Sequence, residues 1–304
     1  MRGRRGKARP IVLSVGFTAA LAAVCLLRDP MVAGGQVPGA GEGPQGRIFD
    51  RIFIVVLENT RFARATQAPF LQYLATRGAL FTDYYAITHP SYPNYLAMVT
   101  GSTLGVQDNT QRDFDVTSLV DLLEPAGVSW KVYAEDLPSP CFLGASSPDG
   151  LYVRKHEPYI SLRNIQGNPA RCAHIVNAGQ LSADLADDAL PQYSLYVPNV
   201  RHDGHDTSIG EMDAWLRTFL TPLIQNPRFT RRTLLVITFD EDSGFWTNRI
   251  YTAFVGDMVQ PGITIGNPHN HYSLLRLIED NFAVGILNRE DSKATPICCI
   301  WNNR

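Results

Sequence analysis

Cysteine is scarce in this chain, with five in 304 residues, and no two of them stand in a Cys-x-x-Cys spacing. That argues against a thiolate-held metal centre. Long basic runs are missing beyond the first thirty residues, so nucleic-acid binding has no electrostatic footprint here. After the N-terminal apolar stretch no second one approaches membrane-spanning length. Internal repeats and low-complexity tracts are absent as well. From about residue 47 to the end the chain reads as one domain of alternating strands and helices.

What is present is unevenly placed. Three apolar runs each stop at acids. Ile52–Leu57 runs into Glu58-Asn59, and Leu234–Phe239 runs into Asp240-Glu241-Asp242. Tyr193–Val197 continues through Pro198-Asn199 to His202-Asp203-Gly204-His205-Asp206. Continuous β-branched and aliphatic runs suit strands buried on both faces of a mostly parallel sheet. The expected fold class is therefore α/β, a central mostly parallel sheet with helices on both faces. In such sheets the carboxyl ends of the strands share one edge, where ligands bind. Three distant stretches should thus bring carboxylates and imidazoles to one rim. Crowded carboxylates repel one another, and a cation relieves that.

The N-terminus has its own pattern. Arg2, Arg4, Arg5, Lys7 and Arg9 precede the apolar run Ile11–Leu27, and Arg28-Asp29-Pro30 follows. Residues 1–30 read as a secretory signal, with an uncleaved N-terminal anchor as the alternative. Residues 31–46, rich in Gly, Pro and Ala, read as a flexible linker. Without the leader the balance becomes more acidic than the −2 of the whole chain, and no stable membrane span remains. The reading is a secreted, extracellular protein. Four cysteines follow the leader, an even number that favours disulfides in an exported chain. Cys141–Cys172 is the preferred bridge, tying down a loop-rich insertion at 136–178 that is expected to rim the pocket. The adjacent Cys298-Cys299 pair is left unassigned.

Helices are expected at Pro69–Arg77, from about Pro93 to Thr100, at Ser118–Leu123, at Ser208–Gln225 and at Tyr272–Phe282. Strands are expected at Leu80–Ala86, Val128–Ala134 and Ile250–Val255. Ser91 falls between a strand and a helix, in Thr88-His89-Pro90-Ser91-Tyr92-Pro93-Asn94-Tyr95. Its oxygen is expected near the strand ends, at a helix N-terminus that favours anions. A plain N-cap or turn serine is the competing reading.

Seven segments occur in a fixed order: Leu57-Glu58-Asn59; the Thr88–Tyr95 segment; Tyr133-Ala134-Glu135-Asp136-Leu137-Pro138; Arg154-Lys155-His156-Glu157-Pro158; Pro198-Asn199 with His202–Asp206; Asp240-Glu241-Asp242-Ser243-Gly244; and His271-Tyr272-Ser273. In this order they resemble the secreted phosphoesterase family, which contains acid phosphatases and phospholipases C and lies within the alkaline phosphatase superfamily. The likeness is strongest to its compact mycobacterial secreted acid phosphatases, and it spans roughly Ile52 to Trp301.

The resemblance implies a metal at the strand ends, held by Glu58, Asn59, Asp203, Asp240 and Glu241. Ser91 matches the nucleophile position. His205, Asp206 and His271 match positions for proton transfer or a second metal half-site. Asn59, Arg154, Lys155 and His156 match substrate-binding positions suited to phosphate oxygens. The family's Asn-Asp-Met-His-Asp stands here as His202-Asp203-Gly204-His205-Asp206, so Met is replaced by Gly and His202 is new.

The implied activity is metal-dependent hydrolysis of phosphoric esters, an acid phosphatase working through a phosphoserine, on a phosphorylated small molecule or a lipid headgroup. A phospholipase C-type phosphodiesterase shares the same nucleophile and metals. A secreted, metal-stabilised binding protein is the non-enzymatic alternative. Oxygen-rich ligands suit Ca²⁺, Mg²⁺ or Mn²⁺, and adding histidine shifts the choice toward Zn²⁺ or iron. Each residue also has an ordinary reading. Glu58 and Asp240–Asp242 suit turns or a structural calcium loop; His205, Asp206 and His271 suit helix caps; Arg154-Lys155 suits a solvated surface pair.

Overall fold

A computed structural model of the chain describes residues 47–244 and 247–302. The expected leader at 1–30 and linker at 31–46 lie outside the described residues. Ten strands can be numbered along the chain: β1 Arg51–Leu57, β2 Ala79–Phe81, β3 Tyr84–Tyr85, β4 Trp130–Ala134, β5 Ile175–Asn177, β6 Tyr193–Val197, β7 Thr233–Phe239, β8 Thr252–Val255, β9 Ile263–Ile265 and β10 His269–Asn270. Eight of them form one sheet in the order β5-β4-β6-β1-β7-β8-β2-β9, and β10 and β3 pair separately. Within the large sheet only β8 runs against its neighbours; the other pairings are parallel.

The expected α/β architecture follows from burial. Every residue of β7 is buried, and so are all of β1 except Arg51. A fully buried aliphatic side chain contributes roughly 1.5–3 kcal/mol, so these unbroken apolar strands take the centre of the sheet. Helices cover both sides. We label the four longest α1 Pro69–Arg77, α2 Ser91–Thr100, α3 Ile209–Ile224 and α4 His271–Phe282. α1 packs against α3, and α2 packs against α4.

Several boundaries differ from the sequence expectation. Leu80–Ala86 is two short strands rather than one, because β2 joins the large sheet while β3 pairs with β10. The insertion at 136–178 is not structureless. It holds short helical turns at Arg154–His156, Pro158–Ser161, Arg163–Gln166 and Pro169–Cys172, and it contributes β5. The Cys141–Cys172 disulfide is present, with Cα atoms 5.3 Å apart. α2 begins at Ser91 rather than near Pro93, which puts the serine in the first turn. Among the described residues no helix is long and apolar enough to cross a membrane.

Candidate active site

Register builds the site. Leu57 of β1 pairs with Phe239 of β7, so the next residues, Glu58 and Asp240, leave adjacent strands side by side. The amide of Asp240 donates to Leu57 O at 2.9 Å, and that of Glu58 donates to Asp203 O at 2.9 Å. The loop after β6 is thereby drawn to the same edge. Asn199 shapes that loop, its side-chain oxygen accepting from Arg201 N at 3.0 Å and His202 N at 2.9 Å. Gly204 has φ +95°, a backbone conformation that L side chains rarely adopt. Glycine in place of the family's methionine therefore suits the path the loop takes here.

Ser91 Oγ donates to Glu58 Oε2 at 3.1 Å and lies 3.3 Å from Glu241 Oε1, and all three residues are buried. Asn94 fixes the loop ahead of the serine. Its oxygen accepts from Ile87 N and Thr88 N at 2.9 and 3.0 Å, and its amide donates to Thr88 O and Pro90 O at 2.8 and 3.1 Å. One amide atom of Asn59 stands 3.2 Å from both Asp240 Oδ1 and Glu241 Oε1. Nitrogen there would donate to both carboxylates; oxygen there would converge with them on a cation.

On the other side of Glu58, Oε1 accepts from Tyr95 OH at 2.7 Å and lies 3.0 Å from His156 Nε2. His156 Nδ1 is 3.3 Å from Asp203 Oδ2. Glu58, His156 and Asp203 offer ligand atoms within 4.8 Å of one another. Two donor sets thus meet at Glu58. One is Glu58 with Asn59, Ser91, Asp240 and Glu241; the other is Glu58 with His156 and Asp203.

The electrostatics call for a cation. Burial raises the Asp240 carboxyl well above its usual range, and the charges of Glu58 and Glu241 add to the effect. Burial likewise raises Glu241, against the lowering influence of His89, and lifts Asp203 to about 7. His156 does not neutralise the cluster. Its ring lies within ion-pair distance of two acids, yet burial pushes its pKa down to about 3, so it is neutral near pH 7. Asp240 Oδ2, Asp203 Oδ2 and both His156 nitrogens are buried without hydrogen-bond partners. Buried polar atoms are rarely left so, and this donor chemistry fits a divalent cation.

Three expected roles change in the structure. Arg154 does not face the serine: its guanidinium donates to Leu143 O and Ile160 O, each at 3.0 Å, and pairs with Asp113. It pins the insertion in place. His156, expected at the substrate, lies instead between two acids. His271 is fully buried, and its Nε2 donates to the carbonyl of Asp240 at 2.7 Å, with burial holding its pKa down to about 4. It braces the backbone of the acid loop, and its Nδ1 is buried without a hydrogen-bond partner.

Lys155 is half-buried, with no hydrogen bond or ion pair among the described residues, and its charge acts on Asp203 and His156. At the rim, His205 Nδ1 lies 2.7 Å from Asp206 Oδ1, and its ring is 6.3 Å from that of His156. His202, the residue new to the pattern, turns away to Glu135 at 2.6 Å and stacks on Trp215.

Two contributors escaped the sequence reading. Tyr95 holds Glu58, and His89 contacts Glu241 through Nδ1. The only signal for His89 was its place two residues before Ser91.

Residues 60–285 match the model of the phosphoesterase family. The chain is 35% identical over 269 residues to a probable acid phosphatase of Kluyveromyces lactis, covering 85% of this chain and 64% of the fungal protein. It therefore spans less than two thirds of that relative's length. It is 33% identical over the full length of both chains to a phosphatidylinositol-3-phosphatase of Mycobacterium tuberculosis. A solved structure of a protein in the alkaline phosphatase superfamily from Vibrio parahaemolyticus superposes with a TM-score of 0.57 at 15% identity, covering 84% of this chain and 72% of that one. That likeness concerns the fold.

Proposed function

We propose that this chain, which belongs to the phosphoesterase family, is a phosphoric ester hydrolase of the acid phosphatase type that uses Ser91 as nucleophile and depends on a divalent cation. The observation that carries the reading is the serine hydroxyl set between two carboxylates, Glu58 at 3.1 Å and Glu241 at 3.3 Å, beside the unsatisfied Asp240. A protein that only binds metal has no need of a hydroxyl at that position.

Glu58, Asn59, Asp240 and Glu241 would hold a hard cation such as Ca²⁺, Mg²⁺ or Mn²⁺; Glu58, His156 and Asp203 suit Zn²⁺ as well. When bound, the cation supplies Lewis-acid chemistry and offsets the charge of the acids. The residues do the rest. Ser91 Oγ attacks phosphorus and passes its proton to a carboxylate it already contacts. The ester oxygen departs with the Nε2 proton of a His205 imidazolium, whose Nδ1–H is held by Asp206. Water then hydrolyses the phosphoserine. Lys155, half-buried and uncommitted, stabilises charge on the phosphoryl oxygens. The disulfide supports an oxidising, extracellular setting.

The test uses purified protein with p-nitrophenyl phosphate and its bis-ester. EDTA should abolish monoester turnover, and one of the named cations should restore it. Activity indifferent to the chelator would remove the metal from the proposal. A faster rate on the bis-ester would turn the reading to a phosphodiesterase.

A further inference from the structure

Beside the acid loop lies a cavity of about 380 Å³ lined by Arg61, Phe62, Ala63, Asp242, Gly244, Thr247 and Arg249. Arg61 is two residues past Asn59, and Asp242 directly follows Glu241, so the cavity adjoins the metal-binding loops. Asn248 ties it to the serine loop, its Nδ2 donating to Thr88 O at 2.8 Å and its oxygen accepting from Asp242 N at 2.9 Å.

Its lining is mainly cationic: among the described residues neither Arg61 nor Arg249 is in ion-pair contact with an acid. The Arg249 guanidinium lies over the Phe62 ring, 3.9 Å from its centroid, and its Nε is buried without a hydrogen-bond partner. The ring covers one face of the fork and leaves its edges to a ligand. The single acid, Asp242, is already engaged, accepting from Gly244 N and, at 3.4 Å, from Thr247 Oγ1. Gly244 permits close approach: a Cβ there would stand 2.9 Å from Asp242 Oδ1 and 3.3 Å from Arg61 Nε. Two guanidiniums against one occupied carboxylate leave an excess of donors shaped for an oxyanion.

We propose that Arg61 and Arg249 form a subsite for a second phosphate group, carried on the leaving-group side of the substrate. The proposal rests on the hydrolase reading and sharpens it, because the preferred substrate then bears two phosphates. The second is a monoester in a small bisphosphate and a diester in a lipid headgroup.

The test measures binding by calorimetry with the Ser91→Ala protein, so no turnover is needed. The ligands are propane-1,3-diol monophosphate, the corresponding bisphosphate, and the same diol with one phosphate monoester and one methyl phosphodiester. At least one doubly phosphorylated ligand should bind about tenfold or more tightly than the monophosphate, the scale of one charge-assisted contact. Which of them gains identifies the source of the second group. Arg61→Gln with Arg249→Gln should remove the gain, and the paired lysine variants should keep part of it.

Equal binding of all three ligands, or a preference that survives the double glutamine variant, overturns the subsite. Turnover of p-nitrophenyl phosphate by the unaltered protein is read separately. A hydrolase with no preference loses only this inference; a protein that shows the preference but no turnover loses only the hydrolase.

Discussion

Asp213 and Asp240 are equally hidden from solvent, at 3% and 0% exposure, yet their oxygens meet opposite surroundings. Asp213, on α3, accepts from Phe70 N and Leu71 N at 3.0 Å and so caps α1, whose own N-cap residue provides no side-chain bond. Negative charge at a helix start is favourable. Glu157 does the same for the turn after it, and Asp184 is held by Lys131, Tyr133 and Gln180. These acids hold the fold together. At the strand ends Glu58, Asp203, Asp240 and Glu241 face one another instead, and two of their oxygens have no partner. Burial without satisfaction marks a site that some other group completes.

The sharpest way to break the comparison is to remove the hydroxyl at its centre. Ser91→Ala should lower kcat/KM on the order of 10⁴-fold or more while thermal midpoint and metal content stay near the parent's. Activity within tenfold of the parent would take Ser91 out of the chemistry.

Asp240→Asn comes next, with a loss on the order of 10³-fold in the same assay. Replacing a carboxyl whose ionisation the fold opposes should also raise the thermal midpoint of the metal-free protein by roughly 2–4 °C. Asp213→Asn should do the reverse, costing about 1–2 kcal/mol of stability with kcat/KM held within about threefold. If Asp240→Asn instead destabilised the metal-free fold as Asp213→Asn does, the two regions would not differ in kind.

The smallest effect is in pH. In metal-free protein the carboxyls of Asp203, Asp240 and Glu241 bind protons more tightly folded than unfolded, because burial raises them. Stability should therefore rise as pH falls through about 7, the value of Asp203. His156 and His271 act in the opposite sense, since burial lowers them to about 3 and about 4, but only below their unfolded value near 6.5. Between pH 8 and 6.5 the two histidines do not oppose the acids, and Glu157 and Glu279, lifted by burial to about 7 and about 8, add to them. EDTA-treated protein should gain about 1 kcal/mol or more on acidification, read by denaturant unfolding. Saturating divalent cation should reduce that gain by the share of the site acids. A metal-free protein that is more stable at pH 8 than at 6.5 would contradict the crowding of charge.

Much of this was legible in the chain itself. Glu58, Asp240 and Glu241 each follow a strand whose unbroken apolar run made it central, so their arrival at one edge followed from chain direction alone. Ser91 could be placed for a related reason, between strand and helix. Arg154, His156 and His271 were harder because their backbone does not fix where the side chain points. Arg154 and His156 share one short turn, yet one reaches out of the insertion to Asp113 and the other sits between Glu58 and Asp203. Capping of α1 by Asp213, 143 residues from Phe70 along the chain, had no local signal at all.

Composition, periodicity and motif order determined the parallel sheet, the rim of acids and the serine beside it. They sufficed because strand direction and apolar runs are local properties of the chain. Only the tertiary structure decided which histidine joins the acids, which arginines stay unpaired and which carboxylates remain unsatisfied. Those outcomes depend on loops packing from distant segments, and on the loss of solvent that raises or lowers a charge once it is buried.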